Sequence, residues 1–257
     1  MVSWKVSEIH RIELVCPINL FQPEYIPARD QLLVYLQQPP IKPIEIHPLD
    51  YERYFQPELS PEILNQLFVR STKASHRVWT EFIAKVACPP RIGTTKASFH
   101  ALWDTLIIRP FTFGYPDGVH NRNSSLHTST RKLRPDLSYL VHDACLARGE
   151  EKAPDTDSDL AEELTEKLTW TYGKCPYIFG YHARATKVTY CYMYLEEKRV
   201  LRKDFLTCDL KTVQGRLQAF IYGINIGRLL PLLRQTLPKY FLLHRSNGKV
   251  VECKMLS

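Results

Sequence analysis

The 257 residues, 44% hydrophobic and 11% aromatic with 10 Gly against 18 Pro, exclude a disordered, low-complexity or collagen-like polymer and call for one large domain, or one domain plus a flank. Thirty-four Lys and Arg against 27 Asp and Glu leave a net charge of +7, which suits a polyanionic partner and is also ordinary for a globular protein. Apolar runs fall far short of the roughly 18 residues of a membrane span, and Lys5, Glu8, Arg11 and Glu13 interrupt any signal-peptide core, so the chain reads as intracellular with no membrane partner.

The seven cysteines contain no CxxC pair and are odd in number, which reads as reduced thiols; the nine histidines form no zinc-binding spacing. In chain order, Gln31 to Gln37 reads as a strand, and the prolines from Pro39 to Pro61 mark a linker-like stretch. Ser60-Pro61 opens a short helix to Val69, and Val78, Phe82 and Val86 recur with helical spacing until Pro89-Pro90. Residues 1–92 thus form a small, mainly helical and irregular flank.

From residue 93 the pattern changes. Phe99, Leu102, Trp103, Leu106 and Ile107 predict an amphipathic helix ending at Arg109-Pro110, followed by a polar loop from Asn121 to Thr130. Leu133 to Val141 and Ala144 to Glu150, separated by His142-Asp143, predict a β-hairpin. One of Asp157, Ser158 and Asp159 caps a helix with Leu160, Leu164 and Leu168 inward and Glu162, Glu163, Glu166 and Lys167 toward water, ended by Gly173. Pro176 to His182 and Lys187 to Leu195 follow as strands, the second with Tyr190, Tyr192 and Tyr194 packed on one face, and Thr212 to Leu233 as a long helix. The order predicts an α/β fold: a mixed sheet flanked by helices.

The hairpin carries a chemical pattern. Pro135-Asp136 opens its first strand and, after thirteen intervening residues, Glu150-Glu151-Lys152 closes its second. Residues two apart on a strand share a face, so Glu150 and Lys152 point together toward Asp136. Two carboxylates from adjacent strands can hold Mg²⁺ with positions left for water and a phosphate oxygen, and a neighbouring lysine can orient the attacking water. This is the PD-(D/E)XK nuclease pattern, with Asp136, Glu150 and Lys152 as catalytic residues and Asp136, Glu150 and Glu151, through its carbonyl, as metal ligands. Solvated residues at sheet ends explain the same spacing. Arg122, Asn123 and Ser124, with Arg131, Lys132 and Arg134, are candidates for DNA phosphate contacts; a polar turn and a solvated loop are the alternatives.

From about Ala97 to Leu237 the chain resembles the nuclease-type domain of Crinkler-type effectors of oomycetes and fungi. The resemblance is carried by Ser98-Phe99-His100 with Trp103-Asp104, Asn121 to Ser125, Arg134-Pro135-Asp136, Arg148 to Lys152, Glu163-Leu164 with Lys167-Leu168 and Trp170, and Pro176-Tyr177 with Gly180-Tyr181. It implies a restriction-endonuclease-like domain over 93–257, cleavage of DNA that depends on Mg²⁺ or Mn²⁺, and action in a host nucleus. Residues 1–92 are then a possible surface for a protein partner. The family's first helix opens with an acidic residue, a third metal ligand, where this chain has Lys96. The rival expectation is a non-catalytic DNA- or protein-binding module on a degenerate nuclease fold.

Overall fold

A computed structural model describes residues 23–40, 43–55, 61–73, 77–123, 134–156, 159–237, 240–244 and 250–254. Among the described residues, the flank from residue 23 onward carries short helices and one parallel strand pair. It comprises α1 (Leu32–Leu36), β1 (Ile44–Ile46), α2 (Pro48–Phe55), α3 (Pro61–Leu67), β2 (Phe68–Arg70), parallel to β1, and α4 (Arg77–Ala87). The stretch read as a strand is therefore the helix α1. Leu32 and Leu36, one turn apart, are its buried residues, while Val34 is left exposed.

Helix α5 (Lys96–Trp103) runs into a π-helical turn (Asp104–Ile108) and then α6 (Arg109–Gly114), so the chain does not stop at Arg109-Pro110. The Arg109 N–H reaches back to the Asp104 carbonyl, and Pro110 falls in the first turn of α6, where its missing donor is tolerated. β3 (Val119–Arg122) takes the start of the expected polar loop. The hairpin follows as β4 (Leu137–Val141) and β5 (Ala144–Lys152), turning at His142 and Asp143 with φ of 44° and 66°.

Asp159 caps α7 (Leu160–Glu166), its carboxylate accepting from the Ala161 and Glu162 N–H groups. α7 ends well before Gly173. β6 (Ile178–Arg184), β7 (Lys187–Glu196) and the unforeseen β8 (Arg199–Asp209) form a meander, and α8 (Val213–Gln235) begins at a Thr212 cap. β9 (Tyr240–His244) and β10 (Val250–Lys254) make a separate antiparallel pair.

The main sheet has the order β3-β4-β5-β6-β7-β8 and is antiparallel except where β5 and β6 run parallel, joined through α7. Tyr139, Tyr181 and Tyr190 are buried on one face, where Phe111 of α6 meets Tyr139 edge-on and Phe205 of β8 stacks on Tyr222 of α8. The alternating tyrosines of β7 are packing residues: Tyr190 and Tyr192 both stack on Phe205. α7 covers the opposite face, its Lys167 carbonyl accepting from Arg148. Gly223 and Gly227 of α8 let α6 approach at backbone distance; a Cβ on Gly227 would lie 2.3 Å from the Phe111 carbonyl oxygen. Cys145, Cys175, Cys191 and Cys208 are buried free thiols and Cys88 is an exposed one. Among the described residues no helix is long and apolar enough to cross a membrane.

Candidate functional site

Strand alternation divides β5 between the two faces. Arg148, Glu150 and Lys152 point toward α7, whereas Gly149 and Glu151 point toward α5, where Tyr181, paired with Gly149 across β5 and β6, fills the space a Cβ would need. Asp136 lies one residue before β4. The pairing Leu137↔Gly149, carried one step further, sets it beside Glu150 at the end of the sheet.

On the α7 face the charges form an unbroken chain. Glu150 is fully buried and accepts from Lys167 Nζ at 2.7 Å; Lys167 donates to Glu163 at 2.8 Å; Glu163 pairs with Lys152 Nζ at 3.2 Å. Glu163 and Lys167 thus face the sheet rather than water. Burial pushes the Glu150 carboxyl up to about 7, with the Lys167 hydrogen bond opposing and the Asp136 charge reinforcing the rise. Burial alone would lower Lys167, but its bonds to Glu150 and Glu163 hold it above the ordinary lysine value. Glu163 lies below the usual carboxylate range: burial works against this, and Lys167 and Lys152 outweigh it. Glu150 Oε1 is buried without a hydrogen-bond partner. His182, opposite Glu150 on β6, has Nε2 3.7 Å from Asp204 Oδ2, and burial lowers its pKa.

On the α5 face, Lys96 Nζ lies 2.5 Å from Asp136 Oδ1, and Asp136 Oδ2 accepts from the Glu151 N–H at 2.8 Å. The helix start expected to carry an acidic ligand therefore does face the hairpin, and it presents a cation. The Glu151 side chain is fully buried. Arg122 donates to its two oxygens at 2.5 and 3.2 Å, and Tyr181 Oη donates at 2.5 Å. Arg122 also donates to Asp104 Oδ1, from Nε at 3.0 Å and from Nη2 at 2.5 Å. These bonds overcome burial and raise the Arg122 pKa further, while burial and the Glu151 charge hold the Tyr181 phenol far above its ordinary value. Arg122, a candidate for DNA contact, directs its guanidinium inward as a clamp between β3, the π-helical turn and β5.

Of the other candidates for phosphate contact, Asn123 is exposed at a positive φ of 51° and donates its N–H to the Asp136 carbonyl; Arg134 is exposed; Ser124, Arg131 and Lys132 lie outside the described residues. Lys167, Glu163 and Tyr181 are site residues that the pattern Asp136, Glu150, Lys152 did not name. The available signal was the i, i+4 pair Glu163/Lys167, which flanks the buried Leu164.

The fit of a divalent cation rests on Glu150 and Asp136: a buried carboxylate with one oxygen unpartnered, raised chiefly by its burial and further by the charge of a second carboxylate. Among the described residues no group of three or more His, Cys, Asp or Glu side chains is arranged to hold a metal. Two carboxylates nonetheless suit Mg²⁺, which takes one or two together with waters and substrate phosphates.

Over 161 residues the chain is 30% identical to Crinkler effector protein 8 of Phytophthora infestans, a match covering 60% of this chain and 27% of that protein. No family model and no solved structure matches the chain.

Proposed function

We propose that the chain is a divalent-metal-dependent nuclease that hydrolyses DNA phosphodiester bonds, on a restriction-endonuclease-like arrangement of the six-stranded sheet. The observation that carries this reading is that Asp136 and Glu150 are neighbours at one end of β4 and β5, near enough for the Asp136 charge to act on Glu150, whose Oε1 is unpartnered; Glu150 and Lys152 turn to the α7 face, while the Asp136 carboxylate meets Lys96 on the α5 face. Asp136 and Glu150 would hold the ion, which when bound supplies positive charge against the phosphate. Lys152, released from Glu163, holds and orients the attacking water through its N–H donors, and Lys167 offsets the charge that remains on Glu150. The similarity to a protein named as an effector supports action inside a host cell, with the nucleus as the proposed compartment.

A second reading, a non-catalytic DNA- or protein-binding module, is favoured by one specific contact: the chain's own Lys96 sits on Asp136. Plasmid digestion with Mg²⁺ or Mn²⁺, and with EDTA as control, separates the two. Metal-dependent loss of supercoiled DNA supports the nuclease; intact plasmid at high protein concentration supports the module. Under the first reading Lys152→Ala lowers cleavage by about a hundredfold or more while DNA affinity, measured by fluorescence anisotropy, changes little, because one lysine is a small part of the phosphate contact set. Equal losses in the two assays would remove Lys152 from the chemistry.

A further inference from the structure

Asp136 has two carboxylate oxygens, and the fold treats them differently. Oδ2 is fixed by the Glu151 N–H, a backbone donor near the end of β5. Oδ1 is the oxygen left for a cation, and Lys96 takes it at 2.5 Å. The Lys96 side chain is 32% exposed and the Asp136 side chain 15%, so the ion pair lies at the surface end of the site, within reach of solutes. Lys96 is the first residue of α5, where its positive charge is unfavourable to the helix, whose N-terminus is itself electropositive. Glu150 on the other side of Asp136 is already served by Lys167.

We propose that Lys96 is a resident counter-ion that holds Asp136 until nucleic acid arrives, so that divalent-cation binding and nucleic-acid binding are coupled. This rests on the metal-dependent reading above. A divalent ion and an ammonium on one carboxylate oxygen repel each other at contact range, so the ion binds weakly while Lys96 is in place. A phosphodiester oxygen beside the site offers the ammonium another partner. The lysine stem is long and flexible enough to swing to it, leaving Oδ1 to the metal. Lys96 acts through Asp136 and is a positioning residue. Reciprocity follows: whatever factor DNA adds to metal affinity, the metal adds to DNA affinity.

The test uses the full chain and Ca²⁺, a hard oxygen-seeking ion, titrated by calorimetry with and without a duplex oligonucleotide. A titration of DNA alone is subtracted, and the oligonucleotide is checked for integrity on a gel. In wild type, Ca²⁺ affinity is expected to rise about tenfold or more when DNA is present. Lys96→Ala is expected to bind Ca²⁺ about tenfold more tightly without DNA and to gain less than threefold from it. Lys96→Arg, which keeps the charge, restores weak binding and the coupling. Asp136→Asn in the Lys96→Ala background removes the added affinity. Unchanged Ca²⁺ affinity in Lys96→Ala, or equal coupling in Lys96→Ala and wild type, overturns the proposal. Plasmid digestion keeps it separate from the nuclease reading: coupling through Lys96 without any cleavage sinks the nuclease alone, and cleavage with no effect at Lys96 on metal affinity sinks the counter-ion alone.

Discussion

A fully buried carboxyl such as Glu150 makes stability depend on pH in a fixed direction. Its folded-state value of about 7 lies above the 4.5 of a free glutamate, so the folded chain holds a proton that the unfolded chain has released. Stability from this group is therefore greatest below 4.5, falls as pH rises through the interval, and reaches its lowest level above about 7, a loss on the order of 3 kcal/mol at most. Glu150→Gln, uncharged throughout, is expected to be more stable than wild type at pH 8 and to lose that advantage at pH 5 in urea denaturation; Lys167 keeps Glu163 as its partner in the variant. Arg122→Ala works the other way, because it strips the buried Glu151 of its charged partner. A cost of about 3–5 kcal/mol is expected, read as a lowered unfolding midpoint. Arg122→Lys recovers only part of it, since an ammonium cannot reproduce the fork that binds both Glu151 oxygens and Asp104. The sequence pattern led to Asp136, Glu150 and Lys152 because strand alternation fixes which residues of β5 share a face. Lys96 stood out only through the family resemblance, as a cation where an acid is expected, and Glu163 and Lys167 read as facing water, because the bearing of a charged stripe on a helix is set by what the helix packs against.

At the level of elements, the hairpin of β4 and β5 was legible because His142-Asp143 is a polar pair able to take the two positive φ angles that its turn requires. The next hairpin was not. β7 and β8 turn at Glu197-Lys198, with φ of 47° and 64°, and neither residue signals a turn, so β8 was missed. α1 was misread because Leu-Leu-Val-Tyr-Leu is apolar throughout, and only the burial of Leu32 and Leu36 reveals its period. Pro110 looked like a stop because a proline ends a regular helix, yet a π-helical turn ahead of it carries the chain through. The contact of α6 with α8 yields a prediction in which two effects compete. Alanine in place of glycine inside a helix gains about 1 kcal/mol of propensity. At Gly227 its Cβ would meet the backbone oxygen of Phe111 at 2.3 Å, and overpacking against backbone costs about 1–3 kcal/mol or more. Gly227→Ala is therefore expected to be destabilised overall, with chemical denaturation as the check; a gain in stability would show that α6 gives way.

For the molecule as a whole, the flank supplies hydrogen-bond acceptors to the body. Asn225 of α8 donates to the Leu36 and Gln38 carbonyls, Arg216 to those of Val86 and Ala87, and Tyr177 to that of Pro27. Asn225, Arg216 and Tyr177 are all buried. Removal of residues 1–92 would leave them without these partners, and the truncated chain is expected to melt far below the full one or to aggregate, as thermal scanning with light scattering would report. The sheet also has a seam with its own history. β4 folds onto β5, and β6 onto β7 and β8, across short turns, but β5 meets β6 only after the chain from Ala153 to Tyr177 has crossed over with α7. Closing so long a loop is slower than zipping a hairpin. Glu150 and His182 face each other across that seam, and Glu163 of α7 and Lys167 at its C-terminal end, which hold Lys152 and Glu150, ride on the crossover itself. The contacts of Lys167 and Glu163 with β5 are therefore expected to form after the hairpins, with the step that joins the two halves of the sheet, as pulse-labelled amide exchange during refolding would report.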